Sequence, residues 1–243
     1  MKPIQTKYRG MFVTGTDTSV GKTMVAAGLV GLLKKEGIDV GVMKPVASGA
    51  IECDSGQLIS QDVEMLVRFS GAKDSWELIN PYCLATPVTP ALAAKIEGIG
   101  IDLDRIKQCF EAISVEHKFI VVEGAGGVMT PLSDNLVVAD LIRFLDLPAI
   151  IVSRPDQGTI NHTLLTIECL RNRQLKALGF FFNRFPDFPN LAESTNAEIV
   201  TTVSGVPHLG SVLELGDFFS QQQVTEAFAS SVLRERLLEA LCD

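Results

Sequence analysis

The sequence predicts an α/β fold in which helices flank both faces of a mostly parallel β-sheet. Short apolar runs rich in β-branched residues alternate with stretches of helical spacing. Some of these runs, such as Phe119–Val122, are continuous rather than alternating, which is typical of strands buried on both faces. No repeat, linker or low-complexity segment divides the chain, so we expect residues 1–243 to form one domain.

Runs of apolar residues that end in polar or glycine-rich loops predict six strands. They are Gly10–Thr14, Val40–Lys44, Phe119–Glu123, Ala149–Ser153, Leu178–Phe182 and Val206–Val212. Helical spacing predicts eight helices. They are Lys22–Lys35, Asp62–Phe69, Pro90–Ile96, Leu103–Val115, Val138–Leu145, Ile160–Asn172, Ala192–Val203 and Gln222–Leu241.

The composition is that of a chain able to bury its own core: 47% of its 243 residues are hydrophobic and 21% are charged. With 21 basic and 29 acidic residues the net charge is −8, so no overall positive field attracts nucleic acid. Five scattered cysteines without a C-x-x-C pair favour a reducing, cytoplasmic setting. The sequence shows neither a signal peptide nor an apolar run of bilayer length, so we expect no membrane association.

A phosphate-binding loop is predicted between the first strand and the first helix, at residues 15–23 (Gly-Thr-Asp-Thr-Ser-Val-Gly-Lys-Thr). Backbone N–H groups of such a loop, together with the helix dipole, bind phosphate oxygens. Lys22 would reach the β- and γ-phosphates, and the Thr23 hydroxyl would bind Mg²⁺. Five residues separate Gly15 from Gly21 where the standard Walker A motif has four. The simpler alternative is an ordinary glycine-rich turn. The position of the motif, between a strand and a helix, favours a P-loop NTPase-like domain.

Three further residues are candidates at the carboxyl edge of the sheet. Glu123 ends a buried strand before a glycine-rich turn, as a magnesium-binding carboxylate does; the alternative is a solvated strand end. Lys44 ends the second strand, and Pro45 biases it toward an extended conformation; taken alone, a surface lysine is the commoner case. Asp62, by its spacing, is most simply a helix-start residue.

Several motifs occur together in one order. They are Gly15-Thr16-Asp17-Thr18, Val20-Gly21-Lys22-Thr23, Lys44-Pro45-Val46-Ala47-Ser48-Gly49, Asn80-Pro81-Tyr82, Glu123-Gly124-Ala125-Gly126-Gly127, Thr130-Pro131-Leu132, Ala139-Asp140 and residues 158–166 (Gly-Thr-Ile-Asn-His-Thr-Leu-Leu-Thr). Together they resemble the dethiobiotin synthetase family, from Met11 to about Asn183. The resemblance implies an ATP- and Mg²⁺-dependent ligase of biotin biosynthesis. It would carboxylate 7,8-diaminopelargonate with CO₂, through a carbamate and a carbamic-phosphoric anhydride, and close the ureido ring.

The resemblance also implies residue roles and a homodimer with composite active sites. The implied catalytic residues are Lys22, Lys44 and Thr18, and the implied magnesium ligands are Thr23, Asp62 and Glu123. The implied nucleotide-binding residues are Ser19, Val20, Gly21, Lys22, Thr23, Met24, Asp62, Glu123, Gly124, Ala125, Gly126, Asn183, Arg184, Leu213, Glu214 and Leu215. The implied substrate-binding residues are Ser48, Thr159, Ile160 and Asn161, the last three from a loop contributed across the dimer.

Some positions depart from the family pattern. Ser19 stands where relatives often carry an acidic residue, and Arg154-Pro155-Asp156 is unusual before the 158–166 segment. Leu213-Glu214-Leu215 lacks the proline of the usual base-recognition turn, which predicts relaxed selectivity for the nucleobase.

Two other classes share this fold. Positioning or partition ATPases carry an additional lysine early in the phosphate loop, where this chain has Thr16 and Asp17. Amidotransferase ligases of the cobyrinic acid type need a glutaminase domain, for which 243 residues leave no room.

Overall fold

A six-stranded parallel sheet forms the centre of the computed structural model, which describes residues 6–54, 56–214, 220–228 and 231–242. Its strands, numbered in chain order, are β1 (Gly10–Gly15), β2 (Val40–Met43), β7 (Phe119–Gly127), β10 (Ala149–Ser153), β11 (Ala177–Phe185) and β12 (His208–Leu213). They lie in the order β12-β11-β10-β1-β7-β2, and each pairs in parallel with its neighbours. All six predicted strands are therefore present.

Helices cover both faces of this sheet, which confirms the predicted α/β class. They are α1 (Lys22–Lys35), α2 (Gln61–Ser70), α3 (Trp76–Ile79), α4 (Pro90–Glu97), α5 (Leu103–Glu116), α6 (Val138–Leu145), α7 (Thr159–Asn172), α8 (Leu191–Ser204), α9 (Gln221–Phe228) and α10 (Ser231–Cys242). No helix within the described ranges is long and apolar enough to cross a bilayer.

The core is divided by the sheet because successive side chains of a strand point to opposite faces. Met11 and Val13 of β1 belong to a buried cluster with α1, α2, α9 and α10. Phe12 belongs to the opposite cluster, with α5, α6, α7 and α8. Strands buried on both faces need apolar residues at every position, which explains the continuous runs in the sequence.

Short elements complete the fold and were not predicted. Three two-stranded ladders pair β3 (Val46–Ser48) with β6 (Tyr82–Leu84), β4 (Ile51–Glu52) with β5 (Leu58–Ile59), and β8 (Pro131–Ser133) with β9 (Leu136–Val137).

Some predicted boundaries were wrong. The predicted helix Gln222–Leu241 is found as α9, which packs mainly on α1, and α10, which packs on β11 and β12; residues 229–230 lie outside the described ranges. Strand β2 ends at Met43, so Lys44 is outside it, because the Lys44 N–H donates to the Ile79 carbonyl at 2.8 Å.

Candidate active site

The phosphate loop curls tightly around the Lys22 side chain. Lys22 is 7% exposed, and its Nζ donates to the Asp17 carbonyl at 3.1 Å. A Cβ on Gly15 would lie 2.8 Å from that same carbonyl oxygen and 3.2 Å from Lys22 Nζ. Gly15 therefore gives the lysine room to fold under the loop, although the spacing to Gly21 is longer than in the standard motif.

Gly21 precedes α1 and adopts a left-handed conformation with φ of +87°. A Cβ at this position would lie 1.9 Å from Asn183 Nδ2. Asn183, at the end of β11, instead donates from Nδ2 to the Val20 carbonyl at 3.0 Å. The carboxyl end of β11 is thus fastened directly to the phosphate loop.

Ser19, at the exposed tip of the loop, is also left-handed, with φ of 58°. A non-glycine residue in this conformation is strained, and such strain is concentrated at functional loops. Thr18 is exposed beside it, and its N–H donates to Asp17 Oδ1 at 2.7 Å.

Two lysines and two carboxylates meet beside the loop. Lys44 Nζ lies 2.6 Å from Asp62 Oδ2 and 2.6 Å from Glu123 Oε1. The Thr23 hydroxyl donates to the same Glu123 oxygen at 2.8 Å. Lys44 is 3% exposed and Glu123 is 1% exposed, so the simpler expectations of a surface lysine and a solvated strand end are wrong. We call Lys22, Lys44, Asp62 and Glu123 the charged cluster.

Burial and mutual attraction set the protonation of the charged cluster. Burial opposes the charge on Lys44, but the carboxylates of Glu123 and Asp62 outweigh it and raise the pKa of Lys44. Burial opposes the charge on Asp62 as well, yet Lys44 holds the pKa of this carboxyl below its usual range. Burial, with the positive charge of Lys44 nearby, lowers the pKa of Lys22 to about 8. The Lys44–Asp62 contact shows that Asp62 is more than a helix-start residue.

The oxygen donors of this cluster fit Mg²⁺. Glu123 Oε2 is buried and has no hydrogen-bond partner among the described residues, which leaves one acceptor of this carboxylate unused. With Thr23 and Asp62 it offers the hard oxygen ligands that Mg²⁺ prefers. Within the described part of the chain, no group of three or more His, Cys, Asp and Glu side chains is arranged to hold a metal. A magnesium ion here would therefore need phosphate oxygens and water to complete its shell, as is usual for this ion.

Asn80 positions Lys44 and was missed as a functional residue. Its Nδ2 donates to the Lys44 carbonyl at 2.6 Å and to the Tyr82 carbonyl at 3.2 Å. Asn80 is 7% exposed, so these bonds lie in a dry environment. The signal was present in the Asn80-Pro81-Tyr82 motif, but no spacing rule joins it to a lysine 36 residues earlier.

The implied substrate-binding residues lie at the same edge of the sheet. Ser48 is half-buried on β3, the strand that follows Lys44. Thr159 begins α7 with its side chain buried, and its N–H donates to the Asp156 carbonyl at 3.2 Å. Ile160 is half-buried and Asn161 is exposed in the first helical turn, where N–H groups lack acceptors within the helix.

The segment before α7 is held by hydrogen bonds to its backbone carbonyls. The Pro155 carbonyl accepts a hydrogen bond from Asn196 Nδ2 at 2.8 Å, from the buried face of α8. The Asp156 carbonyl receives the Thr159 N–H. Residues 154–156 thus fasten the start of α7 to a neighbouring helix.

The implied nucleotide-binding residues divide between two places. Met24, Gly124, Ala125 and Gly126 lie on α1 and β7, next to the charged cluster; a Cβ on Gly124 would lie 2.6 Å from the Phe12 ring. Arg184, left-handed with φ of 58°, and Leu213 lie exposed at the ends of β11 and β12. Glu214 donates its N–H to the Phe185 carbonyl at 3.0 Å, and Leu215 lies outside the described residues.

A cavity of about 440 Å³ lies between the phosphate loop, the turn after β7 and α7. Its walls include Thr16, Thr18, Gly127, Thr130 and His162. A larger cavity, of about 910 Å³, lies under α8 and contains no residue of the phosphate loop. Because the smaller cavity is lined by phosphate-loop residues, we favour it as part of the candidate active site.

The parallel sheet, the phosphate loop and the charged cluster define a P-loop NTPase. Residues 9–220 match the model of an AAA domain family. Two solved structures share the fold alone. One is a ParA family ATPase from Chlorobium tepidum, at 19% identity and a TM-score of 0.54, with 95% of this chain and 96% of that chain covered. The other is a MinC:MinD cell division complex from Aquifex aeolicus, at 15% identity and a TM-score of 0.57, with 96% of each chain covered.

Curated relatives are much closer in sequence than these structures. The chain is 41% identical over 209 residues to the ATP-dependent dethiobiotin synthetase of Bacillus licheniformis, covering 86% of this chain and 87% of that one. It is 44% identical over 204 residues to that of Methanococcus vannielii, covering 80% and 92%. The chain belongs to the dethiobiotin synthetase family, which confirms the resemblance seen in the motifs.

Proposed function

We propose that the protein is an ATP-dependent dethiobiotin synthetase of biotin biosynthesis that works with Mg²⁺ and as a homodimer on 7,8-diaminopelargonate and CO₂. The observation that carries the proposal is the charged cluster beside the phosphate loop. Phosphoryl transfer develops negative charge on oxygens, and fixed cations stabilise it.

The reaction has three steps in this proposal. One amine of the diamine attacks CO₂ and loses a proton, which gives a carbamate. A carbamate oxygen attacks the γ-phosphorus of ATP, ADP leaves, and a carbamic-phosphoric anhydride forms. The second amine attacks the carbonyl carbon and loses a proton, phosphate leaves as the C–O bond breaks, and the ureido ring closes.

The residues of the site divide these tasks by position. Lys22, under the phosphate loop, stabilises the β- and γ-phosphate oxygens. Lys44, held between Asp62 and Glu123, faces the carbamate and the transferred phosphoryl group. Ser48 contacts the diamine, and Thr18 lies at the rim near the transferred group.

Thr23, Asp62 and Glu123 are the residues that would hold Mg²⁺. When bound, the ion would neutralise charge on the phosphate oxygens. The free Glu123 Oε2 supports this role, since a buried acceptor without a partner is costly unless a ligand engages it.

The homodimer is the part of the proposal that assigns a role to the start of α7. Residues 159–161 would bind the distant carboxylate of the diamine in the site of a second copy. Exposed apolar side chains on α4, on the turn after β7 and on α7 support a covered surface: Leu92 is 47%, Ile96 61%, Met129 55% and Leu165 61% exposed in the single chain.

The test of the proposed function is product formation. The protein is incubated with 7,8-diaminopelargonate, bicarbonate, Mg²⁺ and ATP, and the mixture is analysed by mass spectrometry for dethiobiotin and ADP. Lys22→Met, which removes the phosphate-loop charge, is the negative control. Absence of dethiobiotin with the natural chain would refute the proposal.

Nucleobase selectivity is tested with a panel of triphosphates. Because Leu213-Glu214 lacks the proline of the usual turn, we expect kcat/KM for GTP and CTP to fall within about tenfold of that for ATP. Strict preference for ATP, beyond about a hundredfold, would contradict this expectation.

A further inference from the structure

Four hydroxyl groups form a cluster behind the phosphate loop, three of them on buried residues and the fourth on half-buried Thr16. Ser153 Oγ, at the end of β10, lies 3.2 Å from Thr16 Oγ1, 2.9 Å from Thr159 Oγ1 and 2.8 Å from Thr163 Oγ1. Thr159 Oγ1 and Thr163 Oγ1 are 3.4 Å apart. Ser153 is therefore the centre of the hydroxyl cluster.

The hydrogen-bonding capacity of Ser153 is fully used by these contacts. A serine hydroxyl has one proton to donate and two lone pairs to accept with, and Ser153 has three hydroxyl partners. Ser153 is 1% exposed, Thr159 3% and Thr163 0%, so water cannot replace a missing partner. A saturated network in such surroundings fixes the positions of its members.

The hydroxyl cluster joins two elements that are far apart in sequence. Thr16 is the second residue of the phosphate loop, and its N–H also donates to the Val152 carbonyl at 2.9 Å. Thr159 is the first residue of α7, directly before Ile160 and Asn161. The contacts through Ser153 therefore set the position of the α7 start relative to the phosphate loop.

We propose that Ser153 is a positioning residue that fixes the start of α7 within its own chain, so that residues 159–161 are held in place for the site of the second copy. The inference rests on the proposed function, in which residues 159–161 bind the diamine carboxylate. Ser153 acts through Thr159 and does not itself touch substrate. Its removal would loosen the binding of the diamine. The phosphate loop would keep its bonds from Asn183 Nδ2 to the Val20 carbonyl and from the Thr16 N–H to the Val152 carbonyl.

The main test compares Ser153→Ala with Ser70→Ala. Ser70 is also 1% exposed, but its hydroxyl bonds only to local backbone at the end of α2, so it is a matched control. We expect Ser153→Ala to raise KM and Kd for the diamine on the order of tenfold, the effect of losing about one buried hydrogen bond. We expect KM for ATP and kcat to change less than about twofold. Ser70→Ala should leave all four constants unchanged.

A second variant separates positioning from direct contact and from misfolding. Thr159→Val keeps the shape and the backbone of Thr159 but removes its hydroxyl from the cluster. If Ser153 acts through Thr159, Ser153→Ala/Thr159→Val should raise KM for the diamine no more than the larger single effect. Additive effects, or an unchanged KM in Ser153→Ala, would overturn the inference.

These outcomes are distinct from failure of the proposed function. If the natural chain makes dethiobiotin and Ser153→Ala matches it, only the positioning role is refuted. If the natural chain neither binds the diamine nor makes dethiobiotin, the proposed function fails and this inference fails with it.

Discussion

At the residue scale, Lys44 shows how buried charge is maintained. Its ammonium lies between Asp62, whose side chain is 46% exposed, and Glu123, which is 1% exposed. The strand end and Pro45 indicated the edge of the sheet but not the burial. The burial of Lys44 depends on its contacts with Asp62 and Asn80. These two residues lie on a helix and in a loop elsewhere in the chain, and nothing in the sequence indicates that they contact Lys44.

Removing Lys44 should therefore cost stability as well as activity. Lys44→Gln leaves Glu123 as a buried carboxylate without its cation, so we expect a loss of about 3 kcal/mol in the free energy of unfolding and loss of turnover. Lys44→Gln/Glu123→Gln should regain most of the stability but none of the activity. Denaturant titration and product analysis measure both; a stable, active Lys44→Gln would refute the pairing.

His117 supplies a pH-dependent contribution at the opposite end of the sheet. Its ring nitrogens lie 3.1 Å from Asp39 Oδ1 and 3.0 Å from Asp74 Oδ2. Burial opposes its charge, but both carboxylates outweigh that and raise the pKa of His117 above 6.5. A raised pKa means that the stabilisation is fully present below about pH 6.5 and is lost as pH rises through the folded-state pKa.

His117→Gln should thus destabilise the protein more in acid than in base. We expect a loss of about 1 kcal/mol at pH 6 and a much smaller loss at pH 9, measured by denaturant titration at the two values. An equal loss at both would show that the histidine charge plays no part.

At the element scale, the six central strands and the first helix were predictable because each has a sustained local pattern. The strand ladders of two or three residues and the single-turn helix α3 were not, because elements this short are fixed by tertiary pairing rather than by their own sequence. The phosphate loop was found from its glycines and lysine. The bond from Asn183 that closes it depends on the position of β11.

Gly21→Ala tests the loop as an element. The added Cβ would meet the Asn183 amide in a left-handed backbone, so we expect ATP affinity to fall by at least about tenfold. Gly37→Ala is the matched control: its φ is +80°, but a Cβ there meets nothing within 4 Å. It should cost about 1 kcal/mol of stability and leave ATP binding intact. Equal ATP affinity in the two variants, by calorimetry, would contradict this account.

At the scale of the whole molecule, parallel pairing explains why residues from 15 to 183 reach one edge. That convergence could be predicted from the order of strands and loops. The surface proposed to meet a second copy could not be predicted, since exposed apolar side chains on α4 and α7 follow ordinary helical spacing.

Leu165→Glu should disrupt the proposed homodimer. A carboxylate placed among exposed apolar side chains would oppose their burial against a second copy, so we expect monomers in sedimentation at micromolar concentration and a large loss of turnover. Val115→Glu, at an 80% exposed position near the C-terminal end of α5, should change neither the oligomeric state nor the turnover. A dimeric, fully active Leu165→Glu would argue against the interface.

The charged cluster has a consequence for which ions can enter. Its ammonium and carboxylate charges offset one another: Lys44 Nζ lies 2.6 Å from an oxygen of each acid, and Lys22 interacts electrostatically with both acids. A bare anion such as sulfate is attracted by the lysines but repelled by the acids. A bare divalent cation is attracted by the acids but repelled by the lysines. An anion that arrives with its metal counterion satisfies both halves, so under the proposed function we expect this pocket to bind the complexed nucleotide more tightly than either component alone.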